Sequence, residues 1–219
     1  MRSNRVSDPR SRRPGTVARR QRRRCWPTVM MLEDRRLLST IVVNNPTDTF
    51  VAGQIDLRDA IAQANASGGD QTITFDPTVF ATPQTITLGV GQLELSDTTG
   101  TETITGPAAG VTVNANNASR VFQVDRLVTA SISGLTISGG NFAIGGGMFN
   151  LGTATLTNCT VSGNSATRLQ GGGVFNYGTA TLTDCTISGN SATAFYGNGG
   201  GYGRRSWPWR TANCCPPGP

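Results

Sequence analysis

The sequence predicts an all-β chain: a parallel β-helix, or β-solenoid, with one helix capping its N-terminal end and a basic arm ahead of it. Three observations carry this expectation. Residues 145–167 and 171–193 align at an offset of 26 with 19 of 23 positions identical, the signature of stacked structural units. Glycine supplies 28 of 219 residues, while 37% are hydrophobic and 15% charged, a composition of short strands and turns rather than long helices. Helical spacing of apolar residues is convincing in one stretch, near residues 55–66. The expected organisation is an arm over 1–36, a β-helix over 37–201 with clear repeats at 145–170 and 171–196, and an irregular tail over 202–219.

The arm carries the basic charge. Residues 1–36 hold 12 Arg against Asp8, Glu33 and Asp34, and the rest holds 7 Arg against 10 acids, so the formal +6 is a basic arm on a mildly acidic body. Repulsion around Arg22-Arg23-Arg24, with Pro9 and Pro14 nearby, predicts disorder. An arm of this kind can release counterions from nucleic-acid phosphates, or it can be the charged front of an export segment. As a secretory signal it is poor, because the apolar run Trp26–Leu32 is only seven residues and is broken by Pro27 and Thr28. No run reaches the roughly 18 apolar residues that span a bilayer as a helix.

After the arm, Ser39-Thr40-Ile41-Val42-Val43 reads as a strand ending in an Asn/Pro/Asp turn. Leu57, Ile61 and Ala64 then fall at i, i+4 and i+7 on one helical face, with Asp56 placed to cap the N-terminus and Asn65 with Gly68-Gly69 to end it. A stack of parallel coils leaves an open strand edge and an open core at its end, which such a helix can cover. The alternative is an ordinary amphipathic helix in a small α+β unit.

Within one repeat, Ala154-Thr155-Leu156 alternates with period two and Cys159-Thr160-Val161 alternates again after a one-residue slip at Thr157-Asn158. A slip of that kind is a corner between two strands. Glycine clusters mark the other corners, so each copy reads as one coil of three short strands. A degenerate earlier copy, Ala130–Gly139, matches Ala154–Gly163 at an offset of 24. The structural positions are Gly146, Gly147, Asn150, Cys159 and Asn164 in one copy and Gly172, Gly173, Asn176, Cys185 and Asn190 in the next. Asn150 and Asn176, and Asn164 and Asn190, are expected to form amide ladders. Cys159 and Cys185 are expected to stack as buried thiols, because parallel neighbours keep Cβ atoms ~4.8 Å apart, beyond the usual ~3.5–4.5 Å of a disulfide.

Three segments carry family resemblances. Leu32-Glu33-Asp34-Arg35-Arg36-Leu37-Leu38 resembles the Leu-Glu-Pro-Arg-x-Leu-Leu segment of large bacterial extracellular proteins, with Asp34 in place of proline. Ile55-Asp56-Leu57-Arg58-Asp59-Ala60 resembles the Cys-Ser-Leu-Arg-Glu-Ala segment that precedes β-helical repeats in bacterial surface proteins, without its cysteine. Gly146-Gly147-Met148 and Val161-Ser162-Gly163-Asn164, with their copies one repeat later, resemble the Gly-Gly-Ala-Ile and Phe-x-x-Asn hallmarks of polymorphic outer-membrane protein repeats. Together these resemblances cover roughly residues 32–200. They imply a right-handed β-helix, export, a surface location and often adhesion; the long flat faces of Thr, Ser and Asn are expected to serve adhesion or matrix and surface-layer contact, with a glycan or surface protein as the partner.

Composition narrows the chemistry. The chain has no histidine, and all 19 basic residues are arginine. This excludes His-dependent triads, His-ligated zinc, the Walker P-loop and Schiff-base catalysis. The alternative to an adhesin is a polysaccharide lyase or hydrolase, which needs converging acids. Asp97, Glu102 and Asp125 are the candidates in the less regular half, and Asp184 is the lone acid between 126 and 201. Nonapeptide calcium binding fails where Gly200-Gly201-Tyr202-Gly203-Arg204-Arg205 has Arg in place of Asp. No catalytic residue, cofactor or metal is therefore expected, and DNA binding by the arm stands as a less favoured reading.

From Tyr202 onward the repeat gives way to an Arg-, Trp- and Pro-rich run ending Cys214-Cys215-Pro216-Pro217-Gly218-Pro219. This predicts a frameshift or truncation, with a genuine terminal cap as the alternative. An uncovered last coil would favour self-association.

Overall fold

Short alternating strands wind the chain into successive parallel coils. The computed structural model describes residues 39–168, 170–193 and 202–203. The arm, its Leu-Glu-Asp-Arg segment and nearly all of the tail lie outside the described residues. Strand β1 (Ser39–Val43) and helix α1 (Leu57–Ser67) come first. The coils then run β2 (Gln71–Phe75), β3 (Gln84–Thr87), β4 (Leu93–Leu95); β5 (Thr101–Thr105), β6 (Val111–Asn114), β7 (Phe122–Val124); and β8 (Thr129–Ser133), β9 (Leu135–Ser138), β10 (Asn141–Phe142), β11 (Met148–Asn150). Two further coils are β12 (Thr153–Thr157), β13 (Thr160–Ser162), β14 (Ser165–Ala166), β15 (Val174–Asn176), and β16 (Thr179–Thr183), β17 (Thr186–Ser188), β18 (Ser191–Ala192), β19 (Tyr202–Gly203).

Equivalent strands stack into four parallel sheets, ordered β1-β2-β5-β8-β12-β16, β3-β6-β9-β13-β17, β4-β7-β11-β15-β19 and β10-β14-β18. The protein is a parallel β-helix. The coils differ from the expected three strands: the later ones carry a fourth, two-residue strand, in which Ala166 is buried. The next coil also continues past the end of the sequence repeat, since Tyr202 pairs with Val174 and Gly203 with Phe175.

Side chains repeat inward at the same height in every coil. Ile104, Ile132, Leu156 and Leu182 form one inward row, and Ile86, Val113, Ile137, Val161 and Ile187 form another. Most of these are fully buried, while Leu182, Cys185 and Ile187 are half-buried in the last described coil. Each buried aliphatic side chain contributes roughly 1.5–3 kcal/mol. Among the described residues, β16, β17 and β18 are paired on one side only.

The corner between the first two strands of a coil requires a left-handed backbone. Gly134, Asn158 and Asp184 occupy it in successive coils with φ of 66°, 52° and 52°. Asn and Asp are the non-glycine residues that tolerate this region. Asp184 thus alternates with Asn158 for a conformational reason. At Gly146 the constraint is close approach: a Cβ there would collide with the carbonyl oxygens of Ser165 and Gly172.

Helix α1 begins where the Asp56 carboxylate accepts the Asp59 backbone N–H at 2.8 Å and stops at Gly68, φ 66°. Its buried face, Leu57, Ala60, Ile61 and Ala64, packs on β1, β2 and β4. It therefore covers the N-terminal end of the core, as a cap should. Arg58 fastens it: Nε and Nη2 donate to the two oxygens of buried Asp48 at 2.9 and 3.0 Å, Nη1 donates to Gln92 O at 2.8 Å, and Nη2 to Gly91 O at 2.9 Å.

Candidate functional site

The third sheet presents an outward polar and aromatic ledge. In its strands the inward residues Leu93, Phe122, Met148 and Val174 alternate with outward Glu94, Gln123, Phe149 and Phe175, which lie in one register row across β4, β7, β11 and β15. The Phe149 and Phe175 rings stack at 5.6 Å between centroids, tilted by 32°. Next to this row, Gln123 Nε2 donates to Asp125 Oδ1 at 2.7 Å and to Glu94 Oε1 at 3.3 Å. Partial burial, followed by the nearby Asp125 charge, raises the Glu94 pKa.

Arg120 anchors the ledge from beneath. Its guanidinium lies between the rings of Phe142 and Phe149, 4.5 and 4.6 Å from their centroids. It donates to Gly145 O, Ile144 O, Gln92 Oε1 and Gln123 Oε1. Burial lowers its pKa to about 10, so it remains a cation at neutral pH. At the rim, Arg126 sits 6.0 Å from the centre of the exposed Tyr177 ring. This rim exists because the turn between β7 and β8, Asp125–Val128, has four residues where the equivalent turn in the next coil has only Leu151 and Gly152.

The repeat positions are structural. Asn150 Nδ2 donates to Asn176 Oδ1 at 2.7 Å and to Thr179 O at 2.8 Å. Asn164, 1% exposed, donates through Nδ2 to Ile137 O, Ser162 O and Asn190 Oδ1, and accepts the Gly140 N–H at 2.8 Å. Gly147 approaches the Gly173 carbonyl of the next coil, and Gly172 approaches the Ser191 carbonyl, so neither has room for a side chain. Cys159 and Cys185 are free thiols. Burial pushes the Cys159 thiol up, and both sulfurs lie near backbone carbonyls rather than each other's bond-forming geometry.

Among the acids expected from sequence, Asp125 belongs to the ledge, whereas Asp97 and Glu102 lie inside the solenoid near the loop that follows α1. Glu102 is 0% exposed, and both its carboxylate oxygens have no hydrogen-bond partner. Burial is the main cause that raises its pKa to about 7, the nearby Asp97 backbone N–H opposes this, and the Asp97 charge adds to it. Stability from protonated Glu102 is therefore fully present below its unfolded pKa of about 4.5 and lost as pH rises through 7. With a chelator present, Glu102→Gln should remove this slope and stabilise the protein by about 3 kcal/mol at pH 8, measured by denaturant unfolding at pH 5 and 8. An unchanged slope in the variant would assign the pH dependence elsewhere.

Sequence reading missed Glu94, Arg120 and Gln123, which lie in coils without recognisable self-similarity. Phe149 and Phe175 were missed as well, although the repeat sets the same aromatic between two inward residues in both copies. Among the described residues no three His, Cys, Asp or Glu side chains converge as a metal site, and no helix is long and apolar enough to cross a membrane. No family model, curated protein or solved structure matches this chain.

Proposed function

We propose that this chain is a non-catalytic β-solenoid of the cell surface or extracellular space that contacts glycans through the ledge on its third sheet. The ledge carries the reading. The half-exposed Phe149 and Phe175 rings offer an apolar surface to the C–H side of a sugar, while the Glu94, Gln123 and Asp125 heads offer acceptors and donors to its hydroxyls. Arg120 holds that arrangement before any ligand arrives, which limits the ordering cost of binding. The resemblance of residues 32–38, 55–60 and the repeats to bacterial surface proteins supports the location.

The full-length chain should be retained on a subset of polysaccharides in a glycan array, and Phe175→Ala should weaken that retention by tenfold or more while leaving the melting curve close to wild type. Uniform failure to bind, or retention indifferent to Phe175→Ala, would reject glycan contact at this ledge. Polysaccharide hydrolysis is the second reading, because Glu94 and Asp125 form a carboxyl pair. Both carboxyls are already held by one donor, Gln123 Nε2, which fixes them as a polar contact surface rather than leaving either free to act as acid or nucleophile. This favours binding over cleavage.

A further inference from the structure

The interior of a β-solenoid is apolar, yet this one places four unpartnered side-chain oxygens at one corner. They are Gln71 Oε1, Asp97 Oδ2 and both oxygens of Glu102. Gln71 and Glu102 are register partners on adjacent strands β2 and β5, both facing inward, at 2% and 0% exposure. The next rung at this position is Ala130, so the neighbouring coil brings no polar side chain to Glu102. Asp97 reaches the same corner from the end of β4. Its Oδ1 accepts the Thr99 N–H and Thr99 Oγ1–H at 2.8 and 2.7 Å, and Thr99 Oγ1 accepts the Gly69 N–H at 2.6 Å.

The orientation of Gln71 makes the arrangement specific. Its Nε2 donates to Gly68 O at 2.8 Å, which fixes the amide and turns Oε1, an acceptor, away from that carbonyl. A buried amide oxygen beside two carboxylates lacks any donor that would balance it. Gly68 is also the C-cap of α1, whose terminal carbonyls add negative potential at the corner. Acceptor oxygens that outnumber the donors around them, carrying up to two formal negative charges, match the preference of a hard divalent cation for oxygen ligands.

We propose that Gln71, Asp97 and Glu102 form a buried binding site for a divalent cation of the calcium type, tying the loop after α1 to the second coil. Ion and proton compete for Glu102, so binding strengthens as pH rises. The site is independent of the ledge, and its test reads stability rather than glycan retention.

The experiment is thermal unfolding of the full-length chain at pH 8 with EDTA, calcium chloride or magnesium chloride. Calcium at about a hundred times its Kd should raise Tm by about 5–10 °C, and the rise should shrink at pH 5. Glu102→Gln should abolish the calcium shift while folding normally in EDTA, because its neutral amide retains the shape of the side chain. Asp97→Asn should weaken calcium binding at least tenfold in isothermal titration calorimetry. A Tm that neither ion moves at pH 8 overturns the proposal. So does a calcium shift that survives Glu102→Gln and instead disappears in Glu94→Gln, because that would put the ion on the ledge.

Discussion

Replacing Asn164 with alanine should destabilise the protein by about 3 kcal/mol, lowering Tm by roughly 6–12 °C. Asn164 is almost fully buried, and its amide joins three successive coils: it donates to Ile137 O on one side and to Asn190 Oδ1 on the other. Removing it strips partners from the buried Gly140 N–H and from the buried Ile137 carbonyl, and one from the part-buried Ser162 carbonyl. The net value of one hydrogen bond is about 1 kcal/mol, but a stranded buried group costs about 1–3 kcal/mol, so the loss is dominated by what stays behind. Asn190→Ala is the internal comparison. Asn190 occupies the same repeat position but is half-buried in the next coil, so its loss should be about 1 kcal/mol. Equal effects of the two substitutions, measured by denaturant unfolding, would contradict the ladder argument.

Arg58→Ala should cost about 2–3 kcal/mol and expose the N-terminal end of the core. The guanidinium makes four hydrogen bonds, two to Asp48 and two to the carbonyls of Gly91 and Gln92, and so joins the segment after β1, the cap helix and the corner before β4. Asp48 is 8% exposed and keeps only the N–H groups of Gly89 and Val90 once the arginine is gone. Arg58→Lys should recover little, because an ammonium cannot reproduce the fork that meets both carboxylate oxygens and two carbonyls together. Amide hydrogen exchange should show faster opening of β1 and α1 in both variants, with β12 and β13 protected. Full rescue by lysine would reduce Arg58 to a simple counter-charge.

These two residues also mark what could be read from sequence. Asn164 belongs to a repeat whose copies align without gaps, so its neighbours one coil away follow directly from the offset of 26. Arg58 stands in the segment resembling one that precedes β-helical repeats, although its partners Asp48, Gly91 and Gln92 could not be named from local spacing. The ledge, and the meeting of Asp97 and Glu102 with Gln71, were hidden for a related reason. Register offsets there vary from 31 residues between Gln71 and Glu102 to 28 between Thr101 and Thr129 and 24 between Thr129 and Thr153. Turns of unequal length absorb the differences, so no single period places Glu94 opposite Gln123 or Gln71 opposite Glu102. The fourth short strand escaped notice because two residues, Ser165-Ala166, are too few to display an alternation.

The same coils account for the division between fold and function. Inward rows and Asn ladders are satisfied by repetition, whereas the ledge joins the repeated Phe149 and Phe175 to the non-repeated Arg120, Gln123 and longer Asp125–Val128 turn. The proposed glycan contact would use the rigid stack as its support.

The most direct measurement incubates the full-length chain with the polysaccharide it retains best, recording binding and polymer chain length in the same sample. The account predicts saturable binding that Phe175→Ala weakens, with no new reducing ends and no unsaturated products after prolonged incubation. Shortened polymer, or binding that ignores Phe175, would contradict it.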